Sequence, residues 1–260
     1  MTKNAQTMIA DPNTPNHSRI LLATSARVLR QLRHDRRSLG LVLLAPVVLI
    51  GILAWVLSGQ PGVFDAWGAL LLGLFPLILM FVLTSVATLR ERTGGTLERL
   101  MTMPLSKVDF LGGYGVAFGL AAILQAIIAC GFTYGVFGLT TAAPAIAVAF
   151  VSVLNALLGT SMGLFASAFA KTEFQAAQML PLVLFPQLLI CGIIAPTSSM
   201  PQPLEAISYV IPVTYSVRAL QELTVHASIT STAWWAIVVL VGFIIAFVIA
   251  GAATFSRKTP

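Results

Sequence analysis

Six stretches of this sequence are apolar over lengths that can cross a bilayer, and that pattern limits the chain more than any motif in it. A hydrocarbon core about 30 Å thick needs roughly 20 consecutive apolar residues at about 1.5 Å rise each. The runs fall at Leu39–Ser58, Trp67–Leu89, Phe110–Leu139, Ala143–Ala170, Ala176–Ala195 and Ala233–Phe255. They are read as membrane helices, the third and fourth being the longest and therefore tilted. Only 9% of the 260 residues are charged, against about 25% in a soluble domain, and mean hydropathy is +0.91. The chain is thus expected to be an all-α membrane protein. The first apolar run starts too far from the amino terminus for a signal peptide, and no cleavable signal is expected.

Six spans place both termini on one side, and basic residues choose that side because Lys and Arg accumulate in short cytoplasmic loops. Fourteen of the fifteen lie in the N-terminal arm, the second-to-third loop, the fourth-to-fifth loop and the tail; Arg218 alone falls opposite. Both termini are therefore expected to be cytoplasmic. The net charge of +6 follows from this topology, and no nucleic-acid partner is needed to explain it. Trp55, Trp67, Trp234 and Trp235 then sit at the outer ends of spans, where interfacial aromatics are favoured.

The loops divide by composition. Residues 1–18 are polar and are expected to form a flexible cytoplasmic arm. Across residues 19–38, Leu21, Leu22, Val28, Leu29 and Leu32 share one helical arc, with Arg27, Arg30, Arg33 and Arg37 on the other. That pattern fits an amphipathic helix lying in the inner interface, ahead of a six-span domain over residues 39–260. Between the second and third spans, Gly94-Gly95 breaks the emerging helix. Leu97, Leu100 and Met101 recur at helical spacing opposite Glu98 and Arg99, and Pro104 ends the piece. Ser106 and Asp109 have capping-box spacing for the next helix. A charged surface helix with an apolar side suggests a protein partner. Outside, Leu204, Ile207 and Ile211 mark one short helix and Val217 and Leu220 a second, with Pro212 between them. Two short helices dipping into the outer leaflet fit this segment, as does a folded cap.

Within the spans there is no Asp, Glu, Lys, Arg or His. An ion-coupled carrier must bind its ion at depth, and this absence argues against one. The polar groups that remain include Gln125, Asn155, Thr160, Ser161, Gln178 and Gln187. Such groups serve either as bonds between helices or as contacts along a substrate path. Gly115/Gly119, Gly131/Gly135 and Gly159/Gly163 have the spacing that lets helices approach closely. Pro46, Pro76, Pro181 and Pro186 interrupt three spans, the fifth most of all. Cys130 and Cys191 lie in predicted spans, and the three histidines are scattered, so neither a disulfide framework nor a metal site is expected. No phosphate loop follows "TGGT" at residues 93–96, the "LSGQ" at residues 57–60 is a chance string on the outer face, and no nucleophile elbow or carboxylate pair supports catalysis.

Two segments carry a resemblance: "RERTGGTLERLMTMPLSKVDFLGGY" and "MPQPLEAISYVIPVTYSVRAL". Together they resemble the type-2 ABC transporter permeases, in particular the daunorubicin-resistance-like bacterial exporter subunits, and the likeness runs through nearly the whole chain after residue 19. The resemblance implies six spans, an amphipathic N-terminal helix, a cytoplasmic coupling helix and a re-entrant extracellular hairpin in a bacterial plasma membrane. It places Gly95, Thr96, Leu97, Glu98, Arg99, Leu100 and Met101 on the coupling helix, and Pro201, Tyr209, Pro212 and Tyr215 on an outer gate. It also implies an ABC ATPase subunit that holds ATP and magnesium, a second permease of the same or a sister sequence, and no cofactor or metal on this chain. The family pattern does not identify cargo. A path lined with uncharged polar and apolar groups disfavours strongly charged solutes, so a drug-like or lipid-like amphiphile is expected, with Gln125, Asn155, Gln178 and Gln187 as candidates along its path. The competing classes are a membrane receptor or scaffold, distinguished by the lack of an ATPase partner, and an ion-coupled carrier.

Overall fold

The computed structural model describes residues 17–94 and 107–254. Their regular structure is helical, with no strand among the described residues. In chain order the α-helices are α1 His17–His34, α2 Arg36–Val56, α3 Pro61–Thr93, α4 Lys107–Gly135, α5 Ala145–Ala166, α6 Glu173–Ile190, α7 Gln202–Ser208, α8 Pro212–Val225 and α9 Ser231–Thr254. A single 3₁₀ turn, Thr197–Ser199, precedes α7. Six of them, α2 to α6 and α9, are long and apolar enough to cross a membrane.

The centre of the bundle is the α3–α5 pair. Their most apolar windows are 67% and 61% buried within the chain, against 22% for α2 and α9 and 11% for α6. Lipid is as apolar as leucine, so helices in it associate through close packing and hydrogen bonds, and small residues make the closest seams. Gly159 and Gly163 on α5 rest directly on the Leu77 and Phe81 carbonyls of α3, where any side chain would collide with backbone. Of the three glycine pairs in the sequence, this one makes the close approach. Gly115, Gly131 and Gly135 have no neighbour within 4 Å, and Gly119 meets Leu157 only at ordinary contact distance.

Helix lengths depart from the apolar runs. The longest helix is α3, with 33 residues, whereas α4 has 29 and α5 has 22. Hydrogen-bonded charges let α3 extend past its apolar run at both ends. Asp65 accepts from the Thr140 amide at 2.8 Å and bonds the Thr140 hydroxyl, while Arg90 to Arg92 find partners described below. The third run ends early because Gly138, at φ +71°, turns the chain and lets the Leu139 amide reach the Thr133 carbonyl at 3.1 Å. The fourth closes at Ser167, whose amide bonds Gly163 O at 3.0 Å.

The amphipathic segment begins earlier and stops sooner than expected. His17 and Ser18, the end of the presumed flexible arm, are helical in α1; the rest of that arm lies outside the described residues. Asp35 ends α1 and caps α2 by accepting the Ser38 amide at 3.1 Å, so Arg36 to Ser38 belong to α2. The packed face of α1 is centred on Thr24, Ser25 and Val28, while Leu22 stays 62% exposed. Ser25 Oγ donates to Gly113 O at 3.0 Å, and Gly113 leaves room for Thr24, which seats α1 on the start of α4. Ser106, half of the expected capping box, lies outside the described residues, one position before α4 begins.

At the opposite end α7 and α8 form a short hairpin, with Pro212 at the first position of α8. Val217 and Leu220 are fully buried in the main core, and the amides of Ala142 and Ala143 bond to Thr224 O and Leu223 O at 3.1 and 3.0 Å. Leu204 and Ile207 of α7 remain substantially exposed. So do the four tryptophans, all clustered in sequence near this end of α2, α3 and α9. Cys130 and Cys191 are free and buried, Cys191 as the C-cap of α6 rather than within it.

Candidate functional site

The seven residues assigned to the coupling helix, Gly95 to Met101, lie outside the described residues. Their attachment does not. The segment leaves α3 at Gly94, whose amide closes the helix on Arg90 O at 2.8 Å, and returns at Lys107, the start of α4. Three consecutive residues in the last turn of α3 fasten its end to three other elements.

Arg90 meets Glu173, in the first turn of α6, through two parallel bonds: Nε to Oε1 and Nη2 to Oε2, both 2.8 Å. Its Nη1 lies 4.0 Å from Asp35 at the α1–α2 junction. Glu91 is 6% exposed and faces α1. There Gln31 Nε2 donates to its Oε1 at 2.8 Å, and Arg27 Nη1 lies 3.5 Å from its Oε2. Arg27 Nη2 also donates to the buried Tyr114 hydroxyl of α4 at 2.9 Å. Arg92 Nη1 donates to the carbonyl of Ser167, the C-cap of α5, at 3.0 Å.

The links differ in weight. Arg90 and Glu173 are each about half exposed, so their pairing contributes only about 0.2–1 kcal/mol, although the two-pronged geometry fixes orientation well. Glu91 is buried, and removing its partners would leave a carboxylate desolvated at about 1–3 kcal/mol or more. At the α1–α2 junction, hydrogen bonding from Ser38, and then the Arg90 and Arg37 charges, hold the Asp35 carboxyl below its ordinary value. It is therefore an anion at neutral pH, available to cap α2.

Sequence reasoning missed this cluster. Arg90 and Arg92 enter the sequence reading only through topology and Arg27 only as part of the charged arc of the amphipathic helix, while Glu91, Gln31, Tyr114 and Glu173 carry no role there. One signal was available: an acid set between two arginines at the end of an apolar run must find a partner when its helix continues.

The four residues expected at an outer gate are partly brought together. Tyr215 donates its hydroxyl to the Tyr209 carbonyl at 2.8 Å, across the turn that Pro212 opens. Tyr209 donates to Glu205 Oε1 at 3.0 Å, an interaction that holds its phenol above the usual value and keeps it a donor through the neutral range. Tyr215 also packs near Phe243 of α9, with ring centroids 6.0 Å apart. Pro201 sits at the other end of α7, as its N-cap, and is exposed.

The four path candidates do not converge. Gln125 is fully buried and bonds Val42 O of α2 at 2.9 Å, leaving its Oε1 without a hydrogen-bond partner. Asn155 is fully buried on α5 and accepts from Ser216 Oγ of α8, while its Nδ2 has no partner. Gln178 is exposed on α6 beside a shallow depression shared with Met179 and Leu182. Gln187 is half-buried and donates to Val183 O of its own helix at 2.9 Å. No group of histidine, cysteine and carboxylate side chains able to hold a metal occurs among the described residues.

The profile of the ABC-2 type transporter family matches residues 20–225. The chain is 29% identical over 149 residues to the Probable multidrug ABC transporter permease YbhS of Escherichia coli (strain K12), covering 57% of this chain and 40% of that protein. It is 27% identical over 158 residues to the Inner membrane transport permease YhhJ of the same strain, covering 60% and 42%. ABC transporter G family member 20 of Dictyostelium discoideum matches at 28% over 147 residues, 54% of this chain and 19% of that protein. The chain thus spans less than half the length of these relatives.

Proposed function

The chain belongs to the ABC-2 type transporter family, and from that premise we propose that it is the permease subunit of an ATP-driven exporter. It moves drug-like or lipid-like amphiphiles out of a bacterial cell by alternating access. ATP and magnesium are held by a separate ABC ATPase chain, and this subunit catalyses no reaction. Two permeases, identical or sister chains, pair with two ATPases, and both termini face the cytoplasm.

The observation that carries this reading is the three-sided fastening of the end of α3, at the root of the segment that holds Gly95, Thr96, Leu97, Glu98, Arg99, Leu100 and Met101. The segment is the coupling helix, its Leu97 and Leu100 seated on the ATPase. When the ATPase dimer closes, the load enters α3 and passes through Glu91 to α1, through Arg92 to α5 and through Arg90 to α6. The α3–α5 seam moves as one body, because Gly159 and Gly163 leave it no space in which to slip. Asn155 carries the motion to α8 through Ser216, and the Tyr209–Tyr215 bond holds the re-entrant hairpin that closes the outer mouth.

The path runs between the two permeases along α6. Among the six candidate spans, α6 is the least buried within its own chain and the least apolar, and it exposes Gln178 where lipid alone would be a poor neighbour. Gln187 lies on the same helix, whereas Gln125 and Asn155 act as interhelical bonds. Helix α1 lies along the inner interface with the exposed Arg30 and Arg33 toward anionic headgroups, while Arg27 is held by Glu91 and Tyr114.

Affinity purification of the tagged chain from native membranes, with mass spectrometry and an ATPase assay on the eluate, tests the proposal. A stoichiometric ATPase subunit is expected, lost when Leu97 and Leu100 are both changed to Asp. Glu98→Lys should uncouple hydrolysis or block assembly while leaving insertion intact. A permease recovered alone, or a fully active Glu98→Lys, would refute the assignment and leave the scaffold reading in its place.

A further inference from the structure

A cavity of about 470 Å³ lies among α1, α2, α3 and α4 on the side of the bundle where the arginines of α1 gather. Its volume falls within the range of small-molecule sites. Its walls change character along α3. Near Arg90 and Glu91 the rim is polar and includes Asp35 and Arg37; deeper in, Leu79, Val82 and Phe118 line it. From residue 90 to residue 79, α3 rises about 16 Å at 1.5 Å per residue, close to half of a hydrocarbon core about 30 Å thick. The cavity is therefore one leaflet deep, charged at the headgroup level and apolar below it. Leu41, which also lines it, is 62% exposed and marks a side on which the slot is open to the bilayer.

The charge at the mouth selects among amphiphiles. Of the charged residues lining the slot, Arg37 and Arg90 stand against Asp35 and Glu91, and the flanking residues 17–38 carry six arginines against one acid. At the rim Arg90 is taken by Glu173 and Asp35, and Glu91 by Gln31 and Arg27. Arg37 is exposed in the first turn of α2, where the helix's own dipole also favours an anion. We propose that this slot binds a phospholipid of the adjoining leaflet, one acyl chain lying along α3 between Val82 and Phe118, and the phosphate on Arg37. The lipid would then form part of the packing between α1 and the bundle, a component of the subunit rather than solvent around it.

The inference does not depend on an ATPase partner, and its test is read on the permease alone. The purified chain in detergent is delipidated, then titrated with phosphatidylglycerol and followed by native mass spectrometry. Diacylglycerol serves as the probe lacking a phosphate, and glycerol phosphate as the probe lacking a tail. One phosphatidylglycerol retained per chain is expected, with weaker retention of diacylglycerol and none of glycerol phosphate. Val82→Trp fills the slot and should abolish retention, whereas Leu124→Trp, on an exposed face of α4, should leave it unchanged. Arg37→Ala removes one exposed cation and cannot disturb the core; it should weaken phosphatidylglycerol about fivefold, the worth of one basic side chain at an anionic lipid surface, and leave diacylglycerol unaffected. Should Val82→Trp fail to fold, the Arg37→Ala comparison still decides. Equal phosphatidylglycerol retention by wild type and Arg37→Ala, or by wild type and a folded Val82→Trp, would overturn the proposal.

Discussion

Replacing Gly159 with alanine should part the two central helices. A Cβ at that position would lie 2.8 Å from the Leu77 carbonyl carbon and nearer still to its oxygen, whereas ordinary contact begins at 3.4 Å. The shortfall of at least about 0.6 Å falls on backbone, not on the tip of a side chain that can swing away. Gly163 meets Phe81 in the same manner, one turn along, so relief at one glycine must drag the other. Overpacking of this kind costs about 1–3 kcal/mol, and an obstacle made of backbone puts Gly159→Ala in the upper half of that range. Gly115→Ala is the matched control: the chemistry is the same on a neighbouring helix, but nothing lies within 4 Å of the added methyl group, so the cost should be close to zero. The assay is reversible unfolding in mixed micelles by increasing dodecyl sulfate, followed by circular dichroism. A difference of about 2 kcal/mol or more between the two variants is expected. If Gly159→Ala unfolds with wild type, or if Gly115→Ala is destabilised as much, the α3–α5 seam is not the structural axis described above.

Glu91→Ala removes the acceptor for Gln31 and Arg27; because Arg27 is a third exposed and can turn to water, the loss should be about 1–3 kcal/mol, seen as faster amide exchange across α1 with α5 unaffected. Tyr215→Phe leaves the Tyr209 carbonyl without its partner and should cost about 1 kcal/mol, with faster exchange confined to the α7–α8 hairpin. Asp35 has a folded-state pKa below the ordinary 3.8, so its stabilisation is complete above that value and is lost as pH falls through the lower one. Exchange of the Ser38 amide should thus accelerate only under strong acid, beyond the intrinsic pH trend, and Asp35→Asn should abolish that acid response.

The six membrane helices were legible because hydropathy over twenty residues is a bulk property that neighbours cannot overrule. Helix ends were less so. The sequence shows where charges stand but not that Asp65 would reach Thr140, or Arg90 would reach Glu173, and these bonds are what let α3 outgrow its apolar run. Spacing likewise proposed three glycine seams, but only contact with a second helix distinguishes Gly159 and Gly163 from Gly131 and Gly135, which face open space. The outer hairpin was readable from Pro212 and its flanking apolar pattern, a local signal. The cluster around Glu91 was not, because its bonded members lie 60 to 87 residues apart and meet only when four helices assemble.

The last turn of α3 also determines how a load can enter the bundle. Successive residues on a helix point about 100° apart, so Arg90, Glu91 and Arg92 grip α6, α1 and α5 from three directions around one axis. A rod clamped on one side can spin or bend away; clamped on three, it is keyed, as a splined shaft is keyed to its hub. Torque applied at Gly94 is then shared among three neighbours instead of being dissipated as rotation of α3 alone. Loosening any one clamp would introduce backlash, a turn of the shaft that moves nothing downstream.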